Sequence, residues 1–297
     1  MVEPQGGIHE KPLLPLHMLT SNLHQHSLFS DGKAEPEAYA RKAIELGLTT
    51  IGFSEHSPLP FDNPFSLKED RVNDYIKTID ALKEEYKDNL TIYRALEMDF
   101  IPGMSEDFSY WKNHCQTDYL IGSIHLVQPD GFDELWFTDG PDFRIYDEGV
   151  QKFFDGDIKK AVKTFYRQTN KMIETQEFDI VGHIDKIKMH NRGRFFSEDE
   201  KWYQNLIDET LDLIKQKNLI VEVNTRGLYK KRSDSLFPDG LTLKKVKQLG
   251  IPILISSDAH QPGEMNQLFD YTQKHLFEFG FRELMFFDEG KWVGKNL

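Results

Sequence analysis

Short apolar or β-branched runs recur along the chain, separated by longer stretches in which apolar residues return every three or four positions. The runs predict strands and the stretches predict helices. Strands are expected at SNLHQH (21–26), TTIGFSEH (49–56), LTIYRALEMDF (90–100), YLIGSIH (119–125), DIVGHID (179–185), LIVEVNT (219–225) and IPILISSDAH (251–260). Between them, EPEAYARKAIELG (35–47) carries Pro36 in its first turn and stops at Gly47, while EDEKWYQNLIDETLDLIKQKN (198–218) keeps a stripe through Leu206, Leu211 and Ile214. A closing apolar run, ELMFF (283–287), follows the last helical stretch. Alternation of this kind predicts a β/α architecture with a parallel sheet, and seven units favour a closed barrel over an open sheet.

One connection breaks the rhythm. Residues 126–157, LVQPDGFDELWFTDGPDFRIYDEGVQKFFDGD, are acidic, aromatic and rich in turn residues. Loops longer than about 15 residues in compact domains are usually functional. Trp136, Phe137 and Phe143 predict an ordered, lid-like insertion here, the alternative being a surface loop whose aromatics pack beneath it. The organisation expected is an N-terminal extension over residues 1–19 and a single barrel domain over 20–297.

The 297 residues hold 39% hydrophobic content, enough for one barrel-sized core, and no Gly/Pro/Ser-rich linker divides them. A formal charge of −13 repels nucleic-acid backbones, so no nucleic-acid partner is expected, while a local cationic site could still hold one small anion. The lone cysteine, Cys115, makes no internal disulfide and belongs to no CxxC pair. A cytoplasmic location and a buried structural thiol are expected. The opening residues lack a basic n-region, and no apolar run reaches about 18 residues, so neither signal peptide nor membrane span is predicted. Oligomeric state is left open.

The chemistry lies at the strand ends. His24 and His26 close the first predicted strand and, two residues apart, share one face of it. His56 closes the second, Glu97 and Asp99 flank the end of the third, and His125 closes the fourth. His183 lies in the fifth, and Asp258 and His260 close the seventh. Parallel barrels carry their sites at these carboxyl ends, and six of the 11 histidines fall there. Imidazole with carboxylate and no thiolate suits Zn, Mn or Fe. Nine candidate ligands (His24, His26, Asp31, His56, Glu97, His125, His183, Asp258 and His260) exceed what one ion takes. Two or three divalent ions, bridged by Glu97, leave positions open for water, as catalytic sites require.

In this order and spacing, HQH, SDG, SEH, EMD, GSIH, GHID and SSDAH resemble the polymerase and histidinol phosphatase (PHP) family, and EVNTRGLYKK resembles its histidinol-phosphate phosphatase branch. The resemblance implies a distorted seven-stranded, TIM-like (β/α)7 barrel with a trinuclear site. The first metal would take His24, His26, Glu97 and Asp258, the second Glu97, His125 and His183, and the third Asp31, His56 and His260. Some relatives have histidine where this chain has Asp31. The reaction implied is hydrolysis of L-histidinol phosphate in histidine biosynthesis.

A phosphate monoester is dianionic near neutral pH and needs both charge neutralisation and a strong nucleophile, which a metal cluster supplies. In-line attack by a metal-bridging hydroxide is expected, with Glu97, Asp258 and His260 at the reacting centre. Arg192 or Arg194, together with Lys230, is expected to hold the phosphate of a small substrate, and Trp136 and Phe137 to wall the leaving-group pocket. Ser54 in GFSEH falls short of a nucleophile elbow because His56 replaces its last glycine. No phosphate loop or GxGxxG occurs. A metal-dependent amidohydrolase, a PHP-type phosphoesterase or nuclease on another substrate, and a metal-binding module without turnover are the competing readings.

Overall fold

The computed structural model describes residues 19–297, so the extension expected over residues 1–19 lies, except for Leu19, outside the described residues. In chain order the elements are β1 (Ser21–Asn22), α1 (Pro36–Glu45), β2 (Thr50–His56), α2 (Val72–Tyr86), β3 (Thr91–Asp99), α3 (Phe108–Cys115) and β4 (Tyr119–Ser123). The long connection then forms β5 (Leu126–Val127), β6 (Trp136–Phe137) and α4 (Phe143–Phe154). Next come α5 (Ile158–Thr175), β7 (Ile180–Val181), α6 (Lys201–Lys217), β8 (Ile220–Asn224), α7 (Arg226–Tyr229), α8 (Gly240–Leu249), β9 (Ile253–Ser256) and α9 (Phe269–Glu278). A final hairpin pairs β10 (Glu283–Asp288) with β11 (Lys291–Asn296).

Seven strands pair in the order β1-β2-β3-β4-β7-β8-β9, every neighbour parallel. Closure occurs just beyond the strands. Gln25 bridges Ala259 in parallel, with the His26 amide donating to the Ala259 carbonyl at 2.8 Å and the Ala259 amide to the His24 carbonyl at 3.2 Å. The seam of the seven-stranded α/β barrel therefore runs between the HQH and DAH segments.

Several strands are shorter than the pattern predicts. After Asn22 the ladder gives way to side-chain bonds, the Asn22 amide donating to Ser257 Oγ at 3.0 Å and the Ser257 amide donating to Asn22 Oδ1 at 3.2 Å. β7 stops after two residues because His183 takes a φ of 21°, outside the extended region. α1 begins at Pro36 and is ended by Gly47 at φ 73°, and it buries Tyr39, Ala40 and Ala43 against the sheet. On α6, Leu211 and Ile214 are buried as expected, but Leu206 only partly, because the inward stripe centres on Tyr203, Ile207 and Leu211. Cys115 is buried, and burial pushes its thiol up to about 12.

The amino end of the barrel is apolar and sealed. The β10–β11 hairpin brings Phe287 and Trp292 against Tyr93 and Tyr119 inside the barrel, and the Trp292 indole donates to Asp179 at 3.0 Å. The polar carboxyl end stays open. Among the described residues no helix is long and apolar enough to cross a membrane.

Residues 126–157 fold as an ordered insertion. Leu126 pairs with Phe137 and Val127 with Trp136. The Trp136 indole donates to the Tyr146 carbonyl at 3.2 Å, packs on Tyr146 and Phe154, and lies so close to Gly149 that an added Cβ there would come within 2.0 Å of it. Trp136 is thus the core of the insertion, which corrects its expected place in a substrate pocket. Phe137, next in the strand, points the other way.

Gly52 on β2 makes room for Tyr119, whose hydroxyl donates to the Leu23 carbonyl and would sit 1.8 Å from an added Cβ. Gly52→Ala is expected to cost about 1–3 kcal/mol by overpacking. Adding Tyr119→Phe, which removes the clashing oxygen, recovers part of that loss. Urea unfolding of both variants checks this, and additive losses would contradict it.

Candidate metal centre

His24 and His26 follow β1, His56 ends β2, and Glu97 sits in β3 opposite His56 in the strand register. His125 follows β4, His183 follows β7, and Asp258 and His260 follow β9. The fold brings all nine predicted ligands to the open end of the barrel, and it does so through strands that share one direction.

Their donor atoms face one another rather than hydrogen-bonding partners. His24 Nε2 lies 3.2 Å from His26 Nε2 and 3.2 Å from Glu97 Oε2; His26 Nε2 lies 3.4 Å from Glu97 Oε2 and 3.5 Å from Asp258 Oδ1. The fifth measured edge, His24 Nε2 to Asp258 Oδ1, is 3.9 Å. Bonds of about 2.0–2.2 Å to a zinc-like ion would put such atoms about 3.3–3.6 Å apart, so His24, His26 and Asp258 can surround one ion, with Glu97 Oε2 beside the two rings. A second set is a triangle: Glu97 Oε1 is 2.9 Å from His183 Nε2 and 3.4 Å from His125 Nε2, which are 3.2 Å from each other. In a third group Asp31 Oδ1 is 3.1 Å from His260 Nε2 and 3.9 Å from His56 Nε2, with His26 within reach. Glu97 joins the first two sets through its two oxygens.

Outer partners fix which nitrogen carries a proton. The Nδ1–H of His24 donates to Glu222 at 2.5 Å, and that of His125 to Asp99, so each Nε2 presents a lone pair inward. Glu222 is wholly buried and also accepts from the His183 amide at 2.8 Å and from Ser256 Oγ. Asp31 Oδ1, His56 Nδ1, Asp99 Oδ2 and Asp258 Oδ1 are buried without any hydrogen-bond partner. Lone pairs opposed at about 3.2 Å and orphaned carboxylate oxygens are the signature of a cation site.

The electrostatics agree. Burial opposes charge on His24, but Glu222, Glu97 and Asp258 outweigh it and raise its pKa well above the ordinary value. Burial opposes charge on His26 as well, yet the nearby Asp258 and Glu97 carboxylates raise it to about 9. In return, Glu97 and Asp258 are held well below the carboxylate range, against burial, by His24 together with His125 in one case and Arg226 in the other. Burial, helped by His26 and Arg226, lowers His260 to about 4 and keeps its ring neutral.

A cavity of about 310 Å³ opens over these ligands. Lys186, Arg226, Lys230 and Arg232 line it, as do Phe65, Phe137 and Asp139. Lys230 is where the sequence placed it, but Arg192 and Arg194 are not. Arg194 is tied to Asp147 by two bonds of 2.7 and 2.8 Å, and Arg192 donates to the Lys231 carbonyl at 2.8 Å, both in a neighbouring cavity. Lys186 takes the expected place instead, 2.7 Å from Asp139. Burial works against its charge, but Asp139, Asp258 and Glu97 raise its pKa, so it is cationic at neutral pH. Lys186 stands three residues after His183 and Arg226 two after Asn224, both just past strand ends; that position was the available signal for them. Glu222 gave a weaker one, a carboxylate amid apolar residues in IVEVN.

Residues 22–226 match the family model of the PHP domain. The "Probable histidinol-phosphatase" of Deinococcus radiodurans is 28% identical over 266 residues, covering 89% of this chain and 95% of that protein. The histidinol-phosphatase of Bacillus subtilis is 27% identical over 78% of this chain and 89% of its own length. The histidinol phosphate phosphatase of Lactococcus lactis, solved with zinc, L-histidinol and phosphate, shares the fold with a TM-score of 0.65 at 22% identity, over 92% of this chain and 98% of that one.

Two outcomes are expected. Glu222→Gln, which weakens the acceptor behind His24, lowers metal affinity by about 10- to 100-fold in chelator competition; an unchanged affinity would show that Glu222 does not orient the ligand. Metal also competes with protons for these rings. Since His26 titrates at about 9, zinc added to stripped, weakly buffered protein at pH 7 acidifies the solution, and the release fades as pH rises through about 9. Release that does not fall over that range would contradict the assignment.

Proposed function

Because the chain belongs to the PHP domain family, we propose that it is a metal-dependent phosphate monoester hydrolase that converts L-histidinol phosphate and water to L-histidinol and phosphate. One observation carries the reading: five cationic side chains, Lys33, Lys186, Arg226, Lys230 and Arg232, line the same cavity as the clustered imidazoles and carboxylates, in a chain of net charge −13. A site meant for a neutral amide would gain nothing from that wall, which weighs against the amidohydrolase alternative.

Two or three divalent ions, Zn, Mn or Fe, are assigned to the three donor sets, with His24, His26, Glu97 and Asp258 holding the first. Such ions supply Lewis-acid charge at phosphoryl oxygens and make water a stronger nucleophile at neutral pH. The chain's own groups do the rest. Arg226 is held by the Asp258 carbonyl at 2.7 Å and by Glu264 at 3.4 Å, so its guanidinium is oriented before substrate arrives. Lys186 and Lys230 add point charges, anchored on Asp139 and Glu264 at 2.7 Å each. Arg232 completes the wall. Together they receive the dianion and its developing charge.

The leaving group meets aromatic faces. Phe65 and Phe137 stand 6.4 Å apart, centre to centre, with planes only 5° from parallel. Asn63 Oδ1 accepts from the Phe65 and Ser66 amides at 3.1 and 2.8 Å and fixes the turn that presents Phe65. Flat, parallel rings at the mouth suit the planar imidazole of histidinol.

The decisive experiment supplies Zn, Mn and Fe separately to stripped protein and follows phosphate release from a panel of monoesters that includes L-histidinol phosphate. Histidinol phosphate is expected to have the highest kcat/KM. Equal turnover of all esters would remove the leaving-group assignment, and no release from any would remove the phosphatase. Lys186→Gln is expected to lose about 30- to 150-fold in kcat/KM, on the order of 2–3 kcal/mol, with metal content intact. Arg194→Gln, whose guanidinium is already committed to Asp147, stays within a few-fold of the parent. The reverse ranking would return the phosphate clamp to Arg194.

A further inference from the structure

Pro141 and Arg232 wall both the metal cavity and a second cavity of about 350 Å³ beside it. Arg192, Arg194 and Lys231 also line this second space, with His190 and Phe143. Of these cations Arg194 is neutralised by its paired bonds to Asp147. Arg192 has its nearest carboxylate, Asp234, at 4.0 Å. Among the described residues, Lys231 and Arg232 have no carboxylate within 4.0 Å. Lys231 and Arg232, without a carboxylate, and Arg192, only loosely paired with Asp234, thus share one small cavity.

The backbone brings two of these cations together. Arg192 and Lys231 both lie in the left-handed region, at φ 42° and 58°, and the Arg192 guanidinium is bonded to the Lys231 carbonyl. Lys231 takes this conformation as the residue that ends α7, and the two turns set Arg192 and Lys231 side by side. The histidinol moiety is itself cationic and would be repelled here, so the cavity serves a different ligand.

We propose that this cavity is a second anion site that binds a phosphate group while the metal cavity holds another. The guanidiniums of Arg192 and Arg232 supply forked donors and Lys231 a point charge, a combination that matches a phosphate dianion. The phosphate is either the far group of a doubly phosphorylated substrate or free inorganic phosphate.

Zinc-loaded full-length protein separates these sources. Equilibrium dialysis with radiolabelled inorganic phosphate counts sites, and turnover of hexyl phosphate is compared with that of hexanediol bisphosphate. Parent protein is expected to bind two phosphates per chain, and Arg192→Gln/Lys231→Gln one. If the far group is the ligand, the parent prefers the bisphosphate by roughly 10-fold. The double variant then loses that preference and keeps the parent's kcat/KM for hexyl phosphate. Two phosphates without a bisphosphate preference assign the site to free phosphate. One phosphate per chain in the parent with no bisphosphate preference overturns the proposal, as does a second phosphate that the double variant retains. Hexyl phosphate turnover reports on the phosphatase reading alone, so failure of that reading is seen separately.

Discussion

Everything in this molecule is arranged around donor atoms that repel one another. Imidazole nitrogens 3.2 Å apart and several carboxylate oxygens without hydrogen-bond partners form a buried cluster that holds positive charge, as protons or as metal, between its members. The protein holds it together from outside. Glu222 and Asp99 fix ring tautomers from behind, and Glu222 also ties β7, β8 and β9 to the cluster through the His183 amide and Ser256. The barrel seam lies in the same segments, so closing the fold and assembling the ligands are one event. This couples metal occupancy to stability, because whatever binds the folded cluster and not the unfolded chain stabilises the fold.

The two ends of the barrel divide the labour. Aromatic rings of the terminal hairpin seal the amino end, which lets that half be packed as ordinary core. The carboxyl end carries the charge, and its short strands are the consequence: residues that would extend the ladder turn aside to aim side chains into the cavity. Positive φ values at His183 and Asp258 mark where regular structure yields to that requirement.

A second division is electrostatic. The chain is acidic overall, yet its cavity and the chamber beside it gather Lys186, Lys230, Lys231 and four arginines. Among the described residues this gathering of cations offers a small anion a local positive wall, and its geometry is set by cations fixed on Asp139, Glu264 and the Asp258 carbonyl.

What the sequence by itself determined is the backbone plan and the end of the barrel at which the candidate donors meet. Period-two runs ending in His, Asp or Glu, repeated in one chain direction, can only deliver those groups to one end of a parallel barrel, and HQH through DAH arrived there together. Long side chains on loops obey no such rule. Tertiary structure alone sent Arg194 to Asp147 and Arg192 to the Lys231 carbonyl, and turned Trp136 onto Gly149 while its neighbour Phe137 reached the cavity. It likewise chose Lys186, Arg226 and Arg232 for the wall. A strand fixes where its side chains point within a few degrees of freedom, whereas a flexible cation points to whichever partner the rest of the fold supplies, and those partners lie far away in sequence.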